Sequence, residues 1–258
     1  MVMNFISKKS KIRKKDTEKR NNRIKKSLII ALAVIIVLVS TFFIIVLPGH
    51  YKANDVALKG LESDEIVKIV ENKKTIEFVP AVYDKGVIFY PGAKVEAEAY
   101  APLLKRLAAM GILCVVIKPT FDLACFGQNI ANDVIEEYDY LEWFVGGHSF
   151  GGVYASKYAS KNPSKVSGVF LLASYSQVDL SNTHVICICG SNDEILDIKS
   201  YEKNKKNLPS DFEEYVIEGG NHAYFGNYGN QKGDGEASIS ETTQQVQTIG
   251  YLYNWLQK

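Results

Sequence analysis

Six residues constrain this chain more than any others: Gly147-His148-Ser149-Phe150-Gly151-Gly152. They follow the apolar run Trp143, Phe144, Val145 and open the helix-like stretch VYASKYASK. A buried strand that turns directly into a helix through small residues holds one side chain on a sharp corner. Here that side chain is a serine hydroxyl, exposed at the edge of a sheet as a nucleophile. A glycine-x-serine-x-glycine pattern is too short to carry this reading alone, so its surroundings decide.

A serine hydroxyl attacks a carbonyl carbon at neutral pH only if a neutral imidazole takes its proton, and an acid must orient that imidazole. Both follow in the chain. The strand-like HVICIC, His184 to Cys189, runs into Gly190, Ser191, Asn192 and Asp193, and EYVIE, Glu214 to Glu218, ends in Gly219, Gly220, Asn221 and His222. Each candidate lies just past the carboxyl end of a predicted strand, where open α/β sheets place their ligands. Taken alone, a Gly-Asn-His turn reads as a surface loop, but His50, His148 and His184 all precede the acid, which leaves His222 as the base. Asp193 competes with Glu194 and Asp197; helix-like residues beyond 195 swing Asp197 about a turn away from the strand end. The developing oxyanion needs backbone donors. The N–H of Phe150 is one, and GVIFYPGAK, Gly86 to Lys94, supplies the N–H of Ala93 as the other, with Gly92 letting the backbone approach substrate closely. Lys94 reads as a solvated residue at a helix start.

Strand-like runs occur at 66–70, 75–79, 87–90, 112–117, 143–146, 166–173, 184–189 and 214–218, the first two forming an antiparallel hairpin. Amphipathic segments lie near 95–110, 128–140, 151–161, 196–206 and 240–257. Such alternation predicts an α/β fold, a mainly parallel eight-stranded sheet covered by helices on both faces. About ten residues separate Ala173 from His184, too few for a helical lid. The pocket is therefore expected to be open, bounded by Phe121, Leu123, Tyr175 and the loop 223–238, which brings Tyr224 to the substrate.

From about Ile66 onward the chain resembles the α/β-hydrolase superfamily, nearest to the fold-5 group related to dienelactone hydrolases. The stretches that carry the resemblance are YPGAKVEAEAYAPL (90–103), GGHSFGG (146–152), GSNDEI (190–195) and EGGNHAYFGNYG (218–229). It implies a serine nucleophile with aspartate and histidine at Ser149, Asp193 and His222. Dienelactone hydrolases use cysteine where this chain has Ser149, so dienelactones are not the expected substrate. KPTFDLACFG (118–127) is similar to a pocket-loop motif of the fold-5 group, but Thr120 and Asp122 replace its proline and asparagine.

A different feature governs the N-terminus. Residues 27–47 hold no charge and include six Ile, four Leu, four Val and two Phe. As a helix they span about 31 Å, the thickness of a bilayer core. A cleavable signal peptide would have a shorter apolar stretch and a small-residue cleavage site, and a buried core helix would have a polar face. Residues 1–26 carry eleven Lys or Arg against Asp16 and Glu18, a net charge of +9, while the rest of the chain is at −8. The expectation is a basic cytoplasmic tail (1–26), a transmembrane helix (27–47), a linker (48–65) and an extracytoplasmic hydrolase domain (66–258) on the cell membrane. The basic tail serves orientation and anionic headgroups rather than nucleic acid.

Cys114, Cys125, Cys187 and Cys189 read as packed thiols; their spacing makes no metal site, and no cofactor is expected. The expected activity is hydrolysis of a small-molecule carboxylic ester or related acyl compound through an acyl-enzyme. Acyl transfer to another acceptor would use the same residues. A non-catalytic interaction module on this fold would be marked by loss of one of the three groups, and all three are present.

Overall fold

The computed structural model describes residues 20, 23–41, 49–139 and 141–258. It falls into two units, divided between Gly49 and His50. The first contains one described helix, α1 (Arg23–Thr41), with a mean hydropathy of 2.2, long and apolar enough to cross a membrane. The rest of the expected span, residues 42–47, and most of the basic tail lie outside the described residues.

The second unit is built on one eight-stranded sheet. Its strands are β1 (Val67–Glu71), β2 (Thr75–Pro80), β3 (Lys85–Tyr90), β4 (Ile112–Ile117), β5 (Glu142–His148), β6 (Gly168–Leu172), β7 (His184–Gly190) and β8 (Glu213–Ile217). They lie in the order β1-β2-β4-β3-β5-β6-β7-β8. β2 is antiparallel to β1 and β4, and every other pairing is parallel. Parallel strands need a crossover and are covered on both faces, which is why ILCVVI of β4 is buried at every position. Helices α3 (Ala101–Ala108) and α7 (Glu241–Leu256) contribute Leu103, Leu107, Ile249, Leu252 and Trp255 to the core on one face. α4 (Ile130–Glu137), α5 (Phe150–Lys161) and α6 (Ile198–Asn204) cover the other with Val134, Ile135, Ala155, Tyr158 and Tyr201. All eight expected strands form. Residues 174–183, between β6 and β7, contain no helix, so no helical lid is inserted there.

The stretch 48–65 reads from the sequence as a short linker with a helical piece around Asp55 to Leu61, and its residue 48 lies outside the described residues. From His50 onward the chain is packed onto the domain. Tyr51 bridges Val95, its N–H donating to the Lys94 carbonyl at 2.7 Å and its carbonyl accepting from Glu96 N–H at 3.1 Å. Asn54 caps the short helix α2 (Asp55–Lys59), whose Ala57 is fully buried. A lone strand residue leaves no period-2 pattern, so composition reads it as loop.

Candidate active site

Ser149 sits between β5 and α5 at φ 53°, ψ −124°. Its backbone is pinned on both sides: the N–H donates to the Leu172 carbonyl at 2.9 Å, and its own carbonyl accepts from Ser174 Oγ at 2.6 Å. A non-glycine residue persists in this region only where neighbours over-determine it. Glycine next door is a steric need, since a Cβ on Gly151 would lie 2.0 Å from the Tyr90 carbonyl oxygen of β3. Lys94, Phe121, Asp122 and Ala173 also have positive φ. With Ser149 they follow β3, β4, β5 and β6, so the strain is concentrated at the carboxyl rim of the sheet.

Asp193 and His222 meet at that rim. Asp193 Oδ2 lies 2.9 Å from His222 Nδ1, and the two side chains are 1% and 2% exposed. A buried carboxylate must be satisfied. Its other oxygen, Oδ1, accepts the N–H groups of Ile195 at 2.9 Å and Leu196 at 2.8 Å. Asp197, the competing acid, instead caps α6 by accepting from Ser200 N–H, and the Glu194 side chain is exposed.

The loop that carries His222 is fixed by groups that the sequence reading missed. Gln244 of α7 exchanges two hydrogen bonds with the Asn221 backbone, at 2.9 and 2.8 Å. Asp234 accepts the N–H groups of His222 at 3.3 Å and Ala223 at 2.8 Å. Ser149 and His222 line one cavity of about 180 Å³. His222 Nε2 is buried, and no hydrogen bond joins it to Ser149 Oγ in this structure.

The backbone amides on either side of Ala93 are engaged within the protein. Gly92 N–H donates to Tyr100 Oη at 3.0 Å, Lys94 N–H to the Asp122 carbonyl at 2.8 Å and Val95 N–H to the Gly92 carbonyl at 3.2 Å. Ala93, between them, is exposed, and Phe150 at the start of α5 lines the cavity with Ser149.

The expected substrate contacts are only partly gathered. Tyr175 lines the Ser149 cavity, whose other walls include Val153, Ile195 and Leu196. Phe121 and Leu123 are not among its lining residues; Phe121 is 37% exposed against Phe126, on the loop whose Asp122 carbonyl holds Lys94. Tyr224 lines a separate polar cavity of about 360 Å³ with Asn221, Gln231 and Asp234. Gly92 faces inward: a Cβ there would lie 2.9 Å from His148 Nδ1 and 3.0 Å from Tyr100 Oη. The loop after β7 supplies a wall, through Ile195 and Leu196, that the sequence reading does not assign to the pocket.

Solved structures share this architecture. TT1662 from Thermus thermophilus aligns with a TM-score of 0.56 at 15% identity, covering 74% of this chain and 99% of that one. Est1E from Butyrivibrio proteoclasticus, solved with ferulic acid bound, gives 0.55 at 10% identity over 77% and 99%. A soluble variant of monoglyceride lipase from Saccharomyces cerevisiae, in complex with a substrate analogue, gives 0.54 at 12% identity over 76% and 97%. At these identities the likeness speaks for the fold. No curated protein sequence matches the chain. The model of the alpha/beta hydrolase family matches residues 86–246, a stretch that is more than half of the chain and that runs from β3 into α7, and the chain therefore belongs to that family.

Proposed function

We propose that this protein is a membrane-anchored serine hydrolase that cleaves a carboxylic ester or related acyl compound through an acyl-enzyme. Ser149 Oγ attacks the carbonyl carbon while His222 Nε2 takes its proton. Asp193 fixes the tautomer with the proton on Nδ1 and stabilises the imidazolium. The N–H groups of Phe150 and Ala93 hold the oxyanion, and His222 returns the proton to the leaving alcohol. Water then attacks the acyl-serine by the same route in reverse. The Ser149–His222 hydrogen bond, not made in this structure, forms when substrate fills the cavity, as catalytic contacts commonly tighten on binding.

One observation carries the reading: a solvent-excluded Asp193–His222 pair at 2.9 Å whose imidazole lines the same cavity as a serine on a strained turn. The small lidless cavity favours short acyl groups. Residues 27–47 are the anchor, with the basic tail in the cytoplasm and the domain outside.

Labelling with a fluorophosphonate probe tests the chemistry: wild type reacts and Ser149→Ala does not. Reaction of the alanine variant at wild-type rate rules the nucleophile out. For topology, protease added to intact cells removes the domain and spares the tail; digestion seen only after lysis reverses the orientation.

A further inference from the structure

Two buried polar side chains at the rim have no part in the chemistry above. Tyr100 ends a short 3-10 turn (Ala97–Tyr100) before α3, and His148 is the last residue of β5, beside Ser149. Both are essentially unexposed. Their atoms Oη and Nδ1 are 2.9 Å apart.

Tyr100 Oη accepts from Gly92 N–H, and we assign the hydroxyl's own hydrogen to His148 Nδ1, the one acceptor it meets among the described contacts. His148 is then neutral with its proton on Nε2, in keeping with burial and the adjoining His222, which push its pKa well below the ordinary histidine value. Neither nitrogen has a free lone pair. The ring of His148 packs on that of His222 at 4.5 Å between centroids. A second imidazole so near a base could compete for the serine proton, or repel the imidazolium if charged; in this tautomer it does neither.

We infer that Tyr100 and His148 are a positioning pair for the hydrolytic reaction: they tie the turn that carries Ala93 to the serine elbow, support the ring of His222 and leave His222 as the single base. The inference rests on the serine-hydrolase reading. Its geometric basis is one buried chain, from Gly92 N–H through Tyr100 Oη and His148 Nδ1 to the His222 ring. Gly92 is pressed so close to the pair that no larger side chain fits without displacement.

The test uses the full-length protein in detergent, with p-nitrophenyl acetate turnover, fluorophosphonate labelling rate and melting temperature measured for each variant. A misplacement of about 1 Å can cost about 100-fold in rate, so Tyr100→Phe is expected to lower kcat and the labelling rate by about 10- to 100-fold while KM stays within about twofold. His148→Leu behaves alike. His148→Asn, which keeps an acceptor near the position of Nδ1, recovers to within about fivefold of wild type. The inference is overturned if Tyr100→Phe and His148→Leu keep wild-type kcat and labelling per folded molecule, if the loss lies in KM, or if Asn rescues no better than Leu. Wild type that is never labelled at Ser149 overturns the serine reading itself, a result distinct from these.

Discussion

Asp193 Oδ2 and His222 Nδ1 stand 2.9 Å apart with almost no solvent access, and the second carboxylate oxygen is taken up by two backbone N–H groups. Asparagine at 193 would keep the shape but offer the imidazole the wrong partner. Asp193→Asn is expected to slow labelling of Ser149 by roughly 10³- to 10⁴-fold, the size seen when a triad acid is neutralised. Asp197→Ala, which removes the cap of α6, should instead appear in urea denaturation as about 1 kcal/mol of lost stability. Equal labelling of Asp193→Asn and wild type would exclude Asp193 as the orienting acid.

His148 makes stability depend on pH. Its folded pKa lies well below the ordinary value near 6.5, first through burial and then through His222. Below about 6.5 the unfolded chain gains a proton there that the folded chain does not, so stability falls as pH falls through that value and further down to the folded pKa. The urea midpoint of wild type should drop between about pH 7.5 and 5.5, and His148→Asn should show a shallower slope. His184 is depressed in the same direction and remains in the variant, so some slope persists. Identical slopes would contradict the buried neutral assignment.

At Gly151 the close approach of β3 leaves no room. A methyl group there meets the Tyr90 carbonyl oxygen at 2.0 Å and the Pro91 carbonyl oxygen at 2.4 Å. Rigid backbone on both sides cannot yield without moving Ser149. Gly151→Ala should cost about 3 kcal/mol of stability, read from denaturation midpoints, together with loss of probe labelling. A variant as stable as wild type would mean the elbow is looser than described.

Tyr51 tethers the start of the domain to the turn that carries Ala93. Its N–H donates to the Lys94 carbonyl, and its ring packs on Tyr228 at 5.5 Å, within the segment that follows His222. Tyr51→Pro deletes that donor while keeping the chain continuous. Labelling of Ser149 is expected to slow by about tenfold, because the turn that carries Ala93 loses one of its supports. An unchanged rate in a folded Tyr51→Pro protein would show that the turn is held without the tether.

Much of the fold was legible because its signals are local. β4 is six apolar residues in a row, α3 and α4 are amphipathic at helical spacing, and the glycines around Ser149 mark a corner; each follows from the sterics and hydrophobicity of a short stretch. The order serine, aspartate, histidine at successive strand ends likewise named residues that the folded sheet brings to one rim. The helix-like residues beyond 195 already favour Asp193 over Asp197 in the sequence; the structure adds that Asp193 faces the imidazole while Asp197 caps a helix. Tyr100, Gln244, Asp234 and the inward face of Gly92 were invisible, because their partners lie 8 to 48 residues away in sequence and no periodicity records a hydrogen bond across such a gap. The sequence alone determined which segments become strands and helices, and which polar side chains stand at the strand ends. The tertiary structure decided which polar atoms are buried together, for partners distant along the chain are chosen by packing geometry, not by the composition of either segment.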